Sequence, residues 1–241
     1  MKKTLIIISS IFLSLNIISS AKSATTAAVT YINTIHSVML CGTGSTATAC
    51  KNPVVLGKST NGSSFDLSSV SAGASAGSIG NLGKASPGET FSYMQVILGK
   101  TFTIKGTGTN AATQTCYTAS VANSGTATTG ATQAIGHASS GNYSNQIVKI
   151  ADNATLDTFM HGTNNLDGTT SGDASNGNSG TNSHTYVAFI TPLTSSFTMK
   201  PGTIPQMKIA FDLSGAVNFP AGGTNCTVSP ASPVVKITFI N

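Results

Sequence analysis

Several groups of side chains in this 241-residue chain stand at spacings that chemistry could use. Gly73-Ala74-Ser75-Ala76-Gly77 has the G-x-S-x-G pattern in which serine hydrolases present a nucleophile. That chemistry needs the serine on a strained strand-to-helix turn, with Asp and His downstream. The flanks here, SSVSA and SIGNLG, hold no apolar helix, and Ser and Gly are common enough for a chance match. The segment therefore reads as a glycine-rich connection. Gly77-x-x-Gly80-x-x-Gly83 lacks the dinucleotide-binding spacing and reads as a loop. His161 and His184 bracket a polar loop containing Asp167 and Asp173, and Asp173-x-Ser175-x-Gly177 partly resembles a calcium loop. The bidentate carboxylate such a loop requires is replaced by His184, so these side chains read as solvated. Asp152 with Asp157, and Asp66 with Glu89, are the candidate carboxylate pairs for glycoside hydrolysis, which needs two acids a few ångströms apart. Nothing in the sequence brings either pair together.

The four cysteines, Cys41, Cys50, Cys116 and Cys226, allow three pairings into two disulfides. Local loops close at lower entropic cost, which favours Cys41 with Cys50 and leaves Cys116 with Cys226. No C-x2-C pair is present for zinc, so the bridges read as structural and no metal or cofactor is expected.

Composition narrows the partners. Only 8% of the residues are charged, against about 25% in an ordinary soluble domain. All twelve basic residues are lysine, and the seven acids are six Asp and Glu89. With 32 Ser and 35 Thr, hydroxyls take the outward positions that charges usually fill, which suits strands better than helices. The scattered lysines form no basic patch, and no arginine exists for bidentate phosphate contact, so nucleic acid is excluded as a partner. Lys2 and Lys3, the apolar run Thr4 to Ile18, and Ala21-Lys22-Ser23 read as an export signal over residues 1–23, cleaved before Ala24. The run is short for a membrane span, and no later run is long enough to be one. Without residues 1–23, nine lysines face seven acids, so the net charge is 9 − 7 = +2.

The elements that must position these groups read as strands. Gln206–Leu213 alternates apolar and polar residues, and Val234–Ile240 is apolar on both sides, as in a centrally buried strand. Phe91–Leu98 and Thr101–Lys105 predict a hairpin turning at Gly99-Lys100. Further expected strands are Ala28–Leu40, Pro53–Leu56, Ser64–Val70, Gln146–Ala151, His184–Thr191 and Ser195–Lys200, with a turn near Asn153–Met160. Gly106–Asn145 and Gly162–Ser183 are low-complexity tracts, expected as long surface loops without core. The fold class is all-β: an antiparallel β-sandwich over residues 24–241 with long polar Gly/Ser/Thr/Asn-rich loops, a subdivision near residue 108 being left open.

Residues 29–105 carry a resemblance. Val29, Tyr31, Ile35, Val38 and Leu40 are followed by Pro53-Val54-Val55-Leu56. Ser64-Phe65-Asp66-Leu67-Ser68-Ser69-Val70 comes next, then Pro87-Gly88-Glu89-Thr90-Phe91-Ser92-Tyr93-Met94-Gln95-Val96-Ile97-Leu98. This order resembles the prealbumin-like (transthyretin-like) β-sandwich modules of exported bacterial surface proteins, and is similar to uncharacterised exported proteins of marine bacteria. In those modules a Pro-Gly turn leads into an aromatic-bearing strand. The resemblance implies a rigid extracellular scaffold and supplies no catalytic residue.

The expected role is a non-catalytic structural protein, extracellular, at the cell surface or in the periplasm, partnered by itself or by other surface proteins. It would be a subunit of a filament or coat. The expected assembly strand is Ala24, Thr25, Thr26, Ala27, Ala28, Val29, Thr30 and Tyr31, which would add to a neighbour's exposed sheet edge in pilin-like fashion. The chain end Thr238-Phe239-Ile240-Asn241 lacks the penultimate Tyr usual in chaperone–usher pilins. The alternative is a surface glycan- or cation-binding module acting through its polar loops. An exported hydrolase resting on Ser75 ranks below both. Low aromatic content, at 6%, and the terminal Asn241 argue against an outer-membrane barrel.

Overall fold

The computed structural model describes residues 24–69, 81–110, 112–119, 134–136, 138, 140–150, 160–167, 184–202, 205–219 and 226–240. Fourteen strands fall within them: β1 Ala24–Thr26, β2 Thr30–Gly42, β3 Val54–Asp66, β4 Thr90–Lys105, β5 Thr107–Thr109, β6 Thr115–Tyr117, β7 Ala134–Ile135, β8 Gln146–Lys149, β9 Met160–Thr163, β10 Tyr186–Thr198, β11 Gln206–Asp212, β12 Val217–Phe219, β13 Thr227–Pro230 and β14 Val234–Ile240. No α-helix occurs among the described residues, and every strand pair is antiparallel. The chain is all-β.

The largest sheet runs β3-β2-β4-β10-β9, with β8 on the far half of β4. A four-stranded sheet runs β1-β12-β13-β7, and β11-β14 and β5-β6 are two-stranded. One face of the large sheet is covered in two places. Tyr31, Phe102, Ile104, Val148, Val187 and Phe189 pack against Val217, Phe219 and Val228 of the four-stranded sheet. Further along, Val38, Leu40, Leu56, Met94, Val96 and Leu193 meet Ile237, Met207, Ile209 and Phe239 of the β11–β14 ribbon. The opposite face presents Met39, Cys41, Ile97 and Ala188, packed with Cys50, Tyr93, Leu166 and Tyr186. Residues Val38 to Gly42 are consequently buried without alternation, since both faces are covered there. β4 pairs with β10, so the two sides of residue 108 share one sheet.

Gly99-Lys100 is not a hairpin turn; β4 runs straight through it. Against β2, Asn33 faces Phe102 and Ile35 faces Leu98, so β4 carries two extra residues there and bulges. The Asn33 amide nitrogen donates to the carbonyls of both Gly99 and Thr101, each at 2.9 Å, and clamps the bulge. Gly99 does not adopt the positive φ that the expected turn requires. The strand changes partner at this corner: residues up to Gly99 pair with β10 and Thr101 to Ile104 with β8, and the sheet curls.

The same effect joins other expected pairs. Of the expected Pro53–Leu56 and Ser64–Val70, residues 54–56 and 64–66 belong to one β3 whose register shifts opposite His36, and the expected His184–Thr191 and Ser195–Lys200 merge into β10 with an irregularity between Pro192 and Phe197. Pro192 faces Tyr93 of β4 at the point where this irregularity begins, beyond Phe189, the last residue of β10 that pairs with β9. Val234–Ile240 forms a strand with those bounds, but it is not central. It pairs with β11 alone, and Val234 and Ile240 are exposed. The Gly106–Asn145 tract is not loop throughout, since β5, β6 and β7 lie in it with Cys116, Thr118 and Ala119 buried. Its small polar side chains satisfy the backbone directly: Thr118 Oγ1 donates to Ser144 O at 2.8 Å and accepts from Gly106 N at 3.2 Å. Of the expected Asn153–Met160 turn, residues 153–159 lie outside the described residues and Met160 begins β9; most of Gly162–Ser183 lies outside them as well.

Candidate functional site

The N-terminal segment is seated in its own chain. Ala24, Thr25 and Thr26 pair with Phe219, Asn218 and Val217 of β12. Ala28 N donates to Leu213 O and Val29 N to Lys105 O. The grip is uneven along the segment. Thr25, Ala27 and Val29 are exposed, Val29 at 61%, whereas Tyr31 is 1% exposed. Tyr31 packs edge-on against Phe102 at 5.7 Å, and its hydroxyl donates to Ala231 O at 2.9 Å. Residues 24–29 form an arm held mainly by backbone bonds, with Ala28 half-buried against the core, and Thr30 and Tyr31 begin the body.

The four cysteines form two disulfides, Cys41–Cys50 and Cys116–Cys226, in the arrangement that loop closure favours. The first closes the loop over the Met39 face of the large sheet, where His161 holds it by a ring nitrogen 3.0 Å from Ala47 O. The second ties β6 to the start of β13 inside the core. Two such bonds belong to an oxidising, extracytoplasmic environment. No described helix is long and apolar enough to cross a membrane.

His161 and His184 do not converge. His161 lies opposite Ala188, the next residue Gly162 faces the other side, and the His184 ring covers Gly162. Among the described residues no three His, Cys, Asp or Glu side chains gather as a metal site. Asp167 is exposed, and Asp173, Asp152, Asp157 and Ser75 lie outside the described residues. Asp66 and Glu89 stand at opposite ends of the large sheet. Asp66 lies beside Ile32, and Glu89 immediately precedes the β4 end that faces Gly42; ten residues of strand, about 33 Å, separate the two levels. Each does local work: Asp66 Oδ1 accepts from Ser68 N and Oγ and from Tyr31 N, and Glu89 Oε2 accepts from Ser86 N.

Three arrangements escaped sequence reasoning. Lys100 is buried at the β4 bulge, its ammonium donating to His184 O at 3.0 Å. His36 stands alone opposite the β3 interruption, its Nδ1 donating to Ser59 O at 3.2 Å and its ring 4.6 Å from that of Tyr186. Tyr117 and Tyr143, both half-buried, meet edge-to-face at 5.8 Å, with the Lys105 ammonium 4.6 Å above the Tyr143 ring. Burial raises the Tyr143 pKa above the ordinary phenol value. Asp212 moves the other way: hydrogen bonds from the Ser214 backbone and side chain lower its pKa. No spacing rule could have found the Lys100, His36 and Tyr117–Tyr143 arrangements, because each is assembled from segments distant in sequence. No protein-family model, no curated protein and no solved structure matches this chain.

Proposed function

We propose that the chain is an exported, non-catalytic structural protein of the cell surface, a subunit that self-associates into a filament or coat. The observation that carries this reading is the contrast between a body clamped by two disulfides and an arm, residues 24–29, held mainly by backbone bonds. In assembly, β1 leaves β12 and takes the same seat on a neighbouring copy, so the ladder lost in one subunit is regained in the next. Residues 1–23 serve as the export signal whose removal frees the arm. Tyr31 stays in its own core, which restricts the exchanged segment to residues 24–29 of the wider stretch 24–31. Electron microscopy of the processed protein and of a variant lacking residues 24–29 tests this. Polymers from the full arm and monodisperse monomers from the deletion are expected; polymers of equal length from both overturn it.

A second reading, a glycan-binding surface module, has one observation in its favour. Tyr117, Tyr143 and Lys105 form a half-exposed aromatic cluster with a cation, a combination suited to stacking against a sugar face. A glycan array should then show binding that a Tyr117→Ala variant loses.

A further inference from the structure

Where β3 passes His36, the sheet leaves four residues without a ladder. Lys58 faces Ser37 and Ser63 faces Ile35, so Ser59, Thr60, Asn61 and Gly62 stand opposite His36 alone and have no partner in β2. Asn61 is exposed. Gly62 has φ +65°, and its N–H donates to Ser59 Oγ at 3.2 Å instead of entering the sheet. The site requires glycine: a Cβ there would collide with Thr34 and lie 2.9 Å from the His36 ring. The peptide nitrogen following an asparagine amide is thus unshielded by a side chain and free of the ladder bonds that would hold an Asn-Gly pair rigid.

We propose that Asn61-Gly62 is a self-modification site at which the folded protein converts the Asn61 amide to a carboxylate. The Gly62 nitrogen attacks Asn61 Cγ and gives up its proton. The C–N bond to the side-chain amide breaks, ammonia leaves with that proton, and a cyclic imide joins the two residues. Water then adds to either imide carbonyl. Opening at Cγ gives aspartate, and opening at the backbone carbonyl gives isoaspartate; no redox change occurs. In the processed chain the net charge falls from 9 − 7 = +2 to 9 − 8 = +1. The new charge lies on the outermost strand of the large sheet, where Lys58 and Asp66 are the formal charges of β3.

The test ages the full processed protein at neutral pH and 37 °C and maps every asparagine by mass spectrometry. Native and denatured samples run in parallel, with Asn61→Gln and Asn61→Asp as references. Site-resolved mapping is needed because Asn176-Gly177, outside the described residues, is the second such pair. Loss of the Asn61 amide in the native state is expected at a rate within about tenfold of the denatured chain, since no ladder must open first. An acidic form co-migrating with Asn61→Asp on ion exchange should appear together with isoaspartate, and the Asn61→Gln variant should lack both. Amide loss in the denatured chain with Asn61 intact in the native one overturns the proposal, as does an acidic form that maps to Asn176 alone.

Discussion

At the scale of single residues, two positions separate backbone strain from steric conflict. Gly62 and Gly88 both have positive φ, but an added Cβ at Gly88 meets nothing within 4 Å, whereas at Gly62 it meets Thr34 and His36. Both alanine variants bear left-handed strain of about 1–3 kcal/mol. Gly62→Ala should lower the melting temperature more than Gly88→Ala, as differential scanning calorimetry would report; equal losses would show that the β3 interruption yields freely. Asp212 offers a prediction with a defined sign. Its folded pKa lies below the unfolded one, so its contribution to stability is present above the unfolded value and is lost as pH falls through the folded value. In Ser214→Ala the side-chain bond goes and the backbone bond remains, so the Asp212 pKa should rise part of the way towards the ordinary carboxylate value by NMR titration. No change would assign the whole effect to the Ser214 amide.

At the scale of elements, the two disulfides should differ in worth. They close loops of 9 and 110 residues, for which chain entropy predicts about 2.5 and about 5 kcal/mol. The double variant Cys116→Ala/Cys226→Ala should therefore unfold at markedly lower denaturant than Cys41→Ala/Cys50→Ala, and the reverse order would mean that the small loop acts through its cover over His161 and Leu166. Much at this scale was legible in the sequence. Val234–Ile240 has the bounds its β-branched run predicts, and Gln206–Leu213 differs from β11 by one residue. Pro87-Gly88 forms a turn with Gly88 at φ +89° and Glu89 N donating to Ser86 O. The misreadings share a cause. Gly99-Lys100, Ser59–Gly62 and Pro192 look like turn signals, yet each marks a strand that bulges and continues, and what holds it in line is distant in sequence: Asn33 for the first, His36 for the second. β5, β6 and β7 are too short and too polar to show any periodicity, and their order comes from Cys226 and Thr118.

At the scale of the whole molecule, the scarcity of charge fits a body whose outward positions carry hydroxyls. β2 shows this in Thr30 and Thr34, β4 in Thr101 and Thr103, and the half-exposed rows they form offer hydrogen bonds without strong fields. The polymerisation proposed for the arm should accordingly depend little on ionic strength; light scattering between low and high salt would measure this, and a steep salt dependence would point instead to the lysines. The candidate groups were less legible than the fold, because His36, Lys100 and the Tyr117–Tyr143 pair acquire their surroundings only through cross-strand register. That register also sets a timetable. β4 lies between β2, close before it, and β10, whose Tyr186 and Thr198 face Gly99 and Thr90 at separations of 186 − 99 = 87 and 198 − 90 = 108 residues. A chain emerging amino-terminus first must hold β4 half-paired until nearly everything else has followed. Such a topology belongs with the slow folders, on the millisecond-to-second scale. During that interval the waiting edge of β4 is open to capture by a chaperone or by a second nascent chain.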